Sequence, residues 1–382
     1  MKILLINYEF PPLGGGAGNA TKNIAREMSS LGHSVFVIST WFSGLPEEEV
    51  TDGYTILRVH SLRKKEDRSN IFEMFDFVRK VIGEKDKFVK NFKPDVIISF
   101  FAIPTGIIAY YFKKKYGIPY ILSLRGGDVP GFLPINLRYY HTISYPITNL
   151  IWENSSGIVA NSKGLQKLAE KTSLRFNKKV EYISNGVNTE EFFPDLNKKD
   201  PETLNVIFVG RLTEQKGVIF LIKAIERLIK EDKSLRGVLK CDIIGDGPLR
   251  KSLEIEAENR DLQDNIKFYG WIHREELLFY YQKADVFVLP SYDEGMPNVI
   301  LEAIASGLAI IATDIAGNEE LVSDGVNGFL YKEQSDLQGL IDKFIKNHGL
   351  KHQFGASSLE KAREFSWKSV SEKYIDICQK IK

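Results

Sequence analysis

Short runs rich in Ile, Val and Phe alternate with helix-length amphipathic segments along the whole chain, and this rhythm limits what it can fold into. The runs ILLIN, SVFVIST, DVIISF, PYILSL and GIVANS lie in the first half; NVIFVG, KCDIIG, IKFYG, DVFVLP and LAIIATD lie in the second. Strand and helix in alternation is the βαβ pattern of parallel sheets covered by helices on both faces, an α/β architecture. The pattern restarts near residue 204, after the polar stretch FFPDLNKKDPETLN, which has the Pro, Asn and Lys content of a linker. Two Rossmann-like domains are expected, facing across a cleft where strand carboxyl ends meet a shared ligand. The tail FSWKSVSEKYIDICQKIK sets Val370, Tyr374, Ile375 and Cys378 at helical spacing and ends the chain in a helix.

The 382 residues suffice for two domains with a core each, and 43% hydrophobic against 26% charged residues leaves no case for disorder. Cys241 and Cys378 are the only cysteines, without CxxC or Cys/His clustering, which argues against a disulfide scaffold or a zinc site and fits a reducing cytoplasm. The opening MKILLINYEF has too short an apolar run for a signal peptide and alternates like a buried strand. Val96 to Phe112 carries no charge and precedes Lys113, Lys114 and Lys115, a profile close to a short membrane span, but Pro104, Thr105 and Gly106 break it. The expectation is a strand at VIISF and a helix over TGIIAYYFKKKYG, closed by Gly117. Residues 1 to 188 hold 25 Lys+Arg and 17 Asp+Glu, a net +8, and the remainder is −7. Such asymmetry can mark a face for an anionic surface or substrate, although lysines scattered over solvated helices are its commoner source.

The loop YEFPPLGGGAGN follows a strand, so a dinucleotide fingerprint is tested there, and it fails: neither Gly14, Gly16 and Asn19 nor Gly16, Gly18 and Thr21 satisfy GxGxxG, and no acid follows the second strand at Ser39-Thr40. The loop can still bring backbone N–H groups to a phosphate at a helix start; a plain tight turn is an equal alternative. In VGRLTEQKG, Arg211 and Lys216 stand between a strand ending at Gly210 and a helix beginning near Gly217, where phosphates bind parallel sheets. A guanidinium fork and a mobile ammonium suit a diphosphate leaving group. In SYDEGMPNVILEAIASG, Pro297 suits the first turn of a helix, leaving the N–H groups of Asn298 and Val299 open to an anion. Glu302 lies inside that helix among apolar neighbours, where it needs a partner: the two hydroxyls of a ribose, or a lysine or backbone N–H of the chain itself.

At this point the chain resembles, over nearly its whole length, the retaining glycosyltransferases of family four, which have the GT-B fold. Glu294 and Glu302 match the family's pair of glutamates with seven residues between them, and Arg211 and Lys216 match its GRL-x-x-x-KG motif. GDGP at 245–248, FYGWIHREEL at 268–277 and TDIAGNEELVSDGVNGFLY at 313–331 follow in family order, and PPLGGGAGN and SNGVN fit the start and end of its first domain. The resemblance implies an acceptor-binding domain over 1–188, a nucleotide-sugar domain over 189–364 and a helix over 365–382 that returns to the first domain. It implies that Glu302 binds the ribose, that Glu294 contacts the transferred sugar, that backbone around Trp271 and Ile272 holds the base, and that Gly15 and Gly16 line the diphosphate. Where many members have histidine, SLRGGDV has Arg125, which cannot act as a base, leaving Asp128 as the ionisable candidate on the acceptor side.

The chain has no DxD motif and no His/Asp cluster at metal spacing; His33, His60, His141, His273, His348 and His352 are dispersed. No metal or other cofactor is therefore expected, with Arg211, Lys216 and the helix start neutralising the diphosphate. The expected activity is metal-independent, retaining transfer from a nucleotide sugar, a UDP-sugar or GDP-mannose in class, to a saccharide or lipid-linked acceptor. The expected location is the cytoplasm, either free or peripheral on the inner face of an anionic membrane. Alternatives are a sugar-nucleotide epimerase, a phosphorylase or an inactive sugar-nucleotide-binding partner. No nucleic-acid module is present.

Overall fold

The computed structural model describes residues 1–65, 69–131, 137–196 and 202–382; linker residues 197–201 and the His141 side chain lie outside the described set. The chain divides into two compact units, one of Met1–Asn185 with Trp367–Lys382, the other of Gly186–Ser366.

The first unit is built on β1 (Lys2–Ile6), β2 (Ser34–Thr40), β3 (Glu48–Thr51), β4 (Tyr54–Val59), β5 (Val96–Phe100), β6 (Tyr120–Leu124), β7 (Gly157–Ala160) and β8 (Val180–Tyr182), in the spatial order β3-β4-β2-β1-β5-β6-β7-β8. All neighbours are parallel except β3 and β4. That antiparallel pair is an addition to the expected strands: Asp52 and Gly53 both take positive φ, and Asp-Gly between extended runs is a strong hairpin signal in sequence. The period of two along β1 sends Leu4 and Ile6 into a cluster with Phe77, Phe112 and Trp152, and Ile3 and Leu5 into one with Ile24, Trp367 and Tyr374. The terminal helix, Trp367–Ile381, thus belongs to the core of the first unit, burying Val370, Tyr374, Ile375 and Cys378 at the spacing read from the sequence. The expected helix after VIISF runs Thr105–Tyr116 and ends at Gly117 in the left-handed region. Among the described residues no helix is long and apolar enough to cross a membrane.

The second unit holds β9 (Leu204–Val209), β10 (Leu239–Ile244), β11 (Ile266–Gly270), β12 (Val286–Leu289), β13 (Ala309–Thr313) and β14 (Gly328–Tyr331), ordered β11-β10-β9-β12-β13-β14 and parallel throughout. β9 pairs with β10 on one side and β12 on the other, so the winding reverses between β9 and β12. Open α/β sheets hold ligands outside the strand carboxyl ends at such a reversal.

Candidate active site

Backbone contacts fix the loops leaving β9 and β12 together. Tyr292 N–H donates to Gln215 O at 2.8 Å, and the Gln215 side-chain amide donates to Asp293 O at 2.8 Å. Gly217 has φ +61°, and a Cβ there would collide with Pro290 O; at Gly245, with φ +133°, it would collide with Gly210 O. Only glycine lets these loops approach so closely. The zipped loops bring two expected residues into contact: Lys216 Nζ lies 2.5 Å from Glu294 Oε1, with 18% and 9% of the side chains exposed. Arg211, at the same strand end, is exposed and makes no ion pair among the described residues. Pro297 caps the helix Asn298–Ala305, and Ile300 N–H already donates to Pro297 O. Val299 N–H has no backbone acceptor among the described residues and remains at the helix start, five residues after Glu294.

Glu302, 5% exposed, is not without partners. Oε1 accepts from Arg274 at 2.6 Å and Oε2 from the Tyr281 hydroxyl at 3.1 Å, both on the helix Arg274–Lys283. The need for a ribose to satisfy an otherwise unpaired carboxylate is therefore removed, and the alternative of a protein partner is realised by an arginine and a tyrosine. Arg274 also holds Glu191 at 2.7 Å and lies 4.9 Å from the Phe192 ring centroid. Burial raises the Glu302 carboxyl above its ordinary range, and the Arg274 charge and the Tyr281 hydrogen bond act against that rise. Arg274 and Tyr281 carried a sequence signal, lying within or just after the quoted FYGWIHREEL, but nothing there paired them with Glu302 across 28 and 21 residues. Trp271 follows β11, 64% exposed, with its ring 4.3 Å from His273, and Ile272 lies between them. These two stand at the far edge of the sheet, separated from β12 by β10 and β9.

In the first unit Gly15 caps the helix Gly16–Ser30, and no atom lies within 4 Å of where its Cβ would be. Arg125 and Asp128 follow β6. The Asp128 carboxylate accepts Arg125 N–H at 3.0 Å and Gly126 N–H at 3.1 Å on Oδ1, and Ala102 N–H at 3.0 Å on Oδ2. It is 8% exposed, and burial raises its carboxyl despite those donors. Asp128 is thus first a clamp on the loops after β5 and β6, which narrows its expected availability to a substrate hydroxyl. Arg125 is likewise engaged, donating to Asn185 Oδ1 at 2.7 Å and to the Tyr374 hydroxyl at 3.3 Å over the Phe100 ring.

The description Glycosyltransferase Family 4 matches residues 14–191, and Glycosyl transferases group 1 matches residues 188–361. The chain belongs to glycosyltransferase family four. This glycosyltransferase is 26% identical over 400 residues to an uncharacterized glycosyltransferase of Methanocaldococcus jannaschii, covering 99% of this chain and 97% of that one. It is 22% identical over 392 residues to the alpha-monoglucosyldiacylglycerol synthase of Streptococcus pneumoniae, covering 98% and 86%. The solved structure of Anabaena HepE in complex with UDP superposes with a TM-score of 0.74 at 17% identity over 100% of both chains, a likeness of fold. This family-four chain has the GT-B fold.

Proposed function

We propose that this glycosyltransferase is retaining, needs no metal ion, and moves a sugar from a UDP-sugar or GDP-mannose to a lipid-linked saccharide. The observation that carries the proposal is the contact between Lys216 and Glu294 at the sheet reversal, with Arg211 at the same strand end. As the glycosidic bond breaks, the diphosphate gains charge; the Lys216 ammonium and the Arg211 guanidinium stabilise it in place of a cation. Glu294 orients the ammonium, and its remaining oxygen is an acceptor for a sugar hydroxyl. The Val299 N–H at the start of the helix Asn298–Ala305 is offered to the same anion. Gly15 and Gly16 supply a second helix start that tolerates close approach of a phosphate.

For the donor, support comes from HepE, which was solved with UDP. For a lipid-linked acceptor, support comes from the pneumococcal relative, named as a monoglucosyldiacylglycerol synthase, and from a cavity of about 580 Å³ in the first unit, lined by Phe72, Met74, Phe101, Ile103, Asp128 and Thr148. A mostly apolar wall with a few polar groups suits an amphipathic acceptor. The net +8 of residues 1–188 supports a place on the inner face of an anionic membrane.

The test is a thermal-shift panel of UDP, GDP and ADP with their sugars, followed by proton NMR of the product formed from the stabilising donor. The expected product keeps the donor's anomeric configuration and forms in excess EDTA. Inversion overturns retention, and loss of turnover in EDTA overturns metal independence.

A further inference from the structure

The carboxylate assigned to the ribose is held by two side chains of a neighbouring helix, one on each oxygen. Arg274 Nη1 donates to Glu302 Oε1 at 2.6 Å and Tyr281 to Oε2 at 3.1 Å. Arg274 is itself fixed: Nε lies 2.7 Å from Glu191 Oε1, and the guanidinium packs on the Phe192 ring, which meets the Tyr281 ring edge-on at 5.7 Å. Phe192 and Tyr281 are fully buried, while the Arg274 side chain is 37% exposed. The network therefore meets solvent on the side of Arg274, and Glu302 keeps only a small exposed fraction.

A carboxylate has about four acceptor directions, and each Glu302 oxygen spends one here, so each retains capacity for one further donor. Two adjacent donors are what a ribose 2′,3′-diol offers. We propose that Arg274 is a positioning residue for nucleotide recognition, locking Glu302 through Glu191 and Phe192 so that its remaining acceptor capacity meets the ribose diol. The inference rests on the assignment of Glu302 to the ribose. Arg274 itself need not touch the nucleotide. Its second duty is charge: Glu302 is buried among apolar side chains, and the titratable or charged groups facing it are Arg274, Tyr281 and Glu191. With the guanidinium gone, burial and Glu191 both favour the protonated carboxyl, which accepts fewer hydrogen bonds from a diol.

The experiment uses the full chain, the nucleoside diphosphate among UDP, GDP and ADP that most raises its melting temperature, and the 2′-deoxy form of that nucleotide. Dissociation constants are measured by calorimetry from pH 5.5 to 8.5 for the wild type, Arg274→Ala, Arg274→Lys and Glu302→Gln. Arg274→Ala is expected to bind the ribonucleotide roughly tenfold more weakly at pH 6, to recover part of the loss by pH 8.5, and to lose preference for ribose over deoxyribose. Arg274→Lys keeps the charge and is expected to flatten the pH dependence again. Glu302→Gln separates the two levels of inference. If it leaves affinity and ribose preference intact, the ribose assignment fails. If it lowers both while Arg274→Ala lowers neither, only the positioning role fails. Tighter binding by Arg274→Ala would make Arg274 a competitor for the carboxylate and overturn the proposal. Loss of affinity without pH dependence or change in ribose preference would reduce Arg274 to packing, which circular dichroism and the melting temperature of each variant check independently.

Discussion

Lys216 Nζ and Glu294 Oε1 are 2.5 Å apart although 78 residues separate them in sequence. Each comes from a loop at the carboxyl end of a strand beside the sheet reversal, and the loops are tied by a backbone bond from Tyr292 N–H to Gln215 O and by the Gln215 side-chain amide on Asp293 O. The ammonium is thereby held at the carboxyl end of the sheet beside the reversal, the place the proposed function assigns to the diphosphate.

Glu294→Gln removes the charge that competes with a diphosphate for Lys216. Free nucleoside diphosphate is expected to bind at least as tightly as to wild type, while donor turnover falls on the order of 10²-fold. Lys216→Ala is expected to weaken nucleotide and donor alike and to lower turnover as well. Calorimetry with the nucleotide, beside initial rates with the donor, compares them. If Glu294→Gln weakens free nucleotide binding as much as Lys216→Ala and keeps turnover at saturation, the separation of roles is wrong.

Two glycines with different surroundings give opposite expectations. Gly245→Ala places a methyl group against Gly210 O at φ +133° and should cost roughly 2 kcal/mol or more of stability in the second unit. Gly15→Ala meets no atom, so stability should change by less than about 0.5 kcal/mol, while donor affinity falls because the new methyl group blocks the helix start. Urea unfolding and donor titration of both variants check this pair; unchanged donor affinity in Gly15→Ala removes Gly15 from the diphosphate site.

Asp128 gives a pH signature. Burial raises its carboxyl in the folded state above the ordinary value of about 3.9. The folded chain then binds more protons than the unfolded one, so this contribution is full below that value and is lost as pH rises through the folded value. Asp128→Asn lacks the titration and also one of two equivalent acceptors for three N–H groups, an expected loss of about 1–3 kcal/mol. The stability gap between wild type and variant should be widest below about pH 4 and narrow toward pH 8. A gap that widens with pH would mean the three donors outweigh burial.

Tyr374→Phe deletes a hydroxyl shared at 2.7 Å with Ser123 and at 3.3 Å with Arg125. Both partners sit on or just after β6, so the change unties the terminal helix from the sheet it covers. A loss of about 1–2 kcal/mol and faster proteolysis after Ser366 are expected. Unaltered proteolysis would show that the apolar contacts of Trp367, Val370 and Ile375 hold the helix without it.

Lys114 and Lys115 are exposed at the end of the helix Thr105–Tyr116, their ammonium groups 5.6 Å and 5.7 Å from the rings of Tyr110 and Tyr111. Flotation with anionic vesicles at low salt should carry the protein upward and fail with neutral vesicles or in high salt. Replacing both lysines by glutamate should weaken flotation, at about 1 kcal/mol of binding per lysine removed. Equal behaviour with both vesicle types favours an acceptor in solution.

The strand runs determined the architecture alone, because a parallel strand covered on both faces must be apolar throughout, and such a run is visible without its neighbours. Gly217, Pro297, Arg211 and Lys216 were legible because turn chemistry and anion binding are local and leave their residue types at fixed spacing. What sits opposite a side chain is not local. That Lys216 meets Glu294 depended on β9 lying beside β12, and that Glu302 meets Arg274 and Tyr281 depended on one helix packing against another. Asp128 and Arg125 show the same limit, since a buried ionisable group must be satisfied but its sequence does not say by what. Only the packed chain decides that Asp128 is satisfied by three backbone N–H groups, because desolvation and partner geometry are fixed when distant segments are brought together.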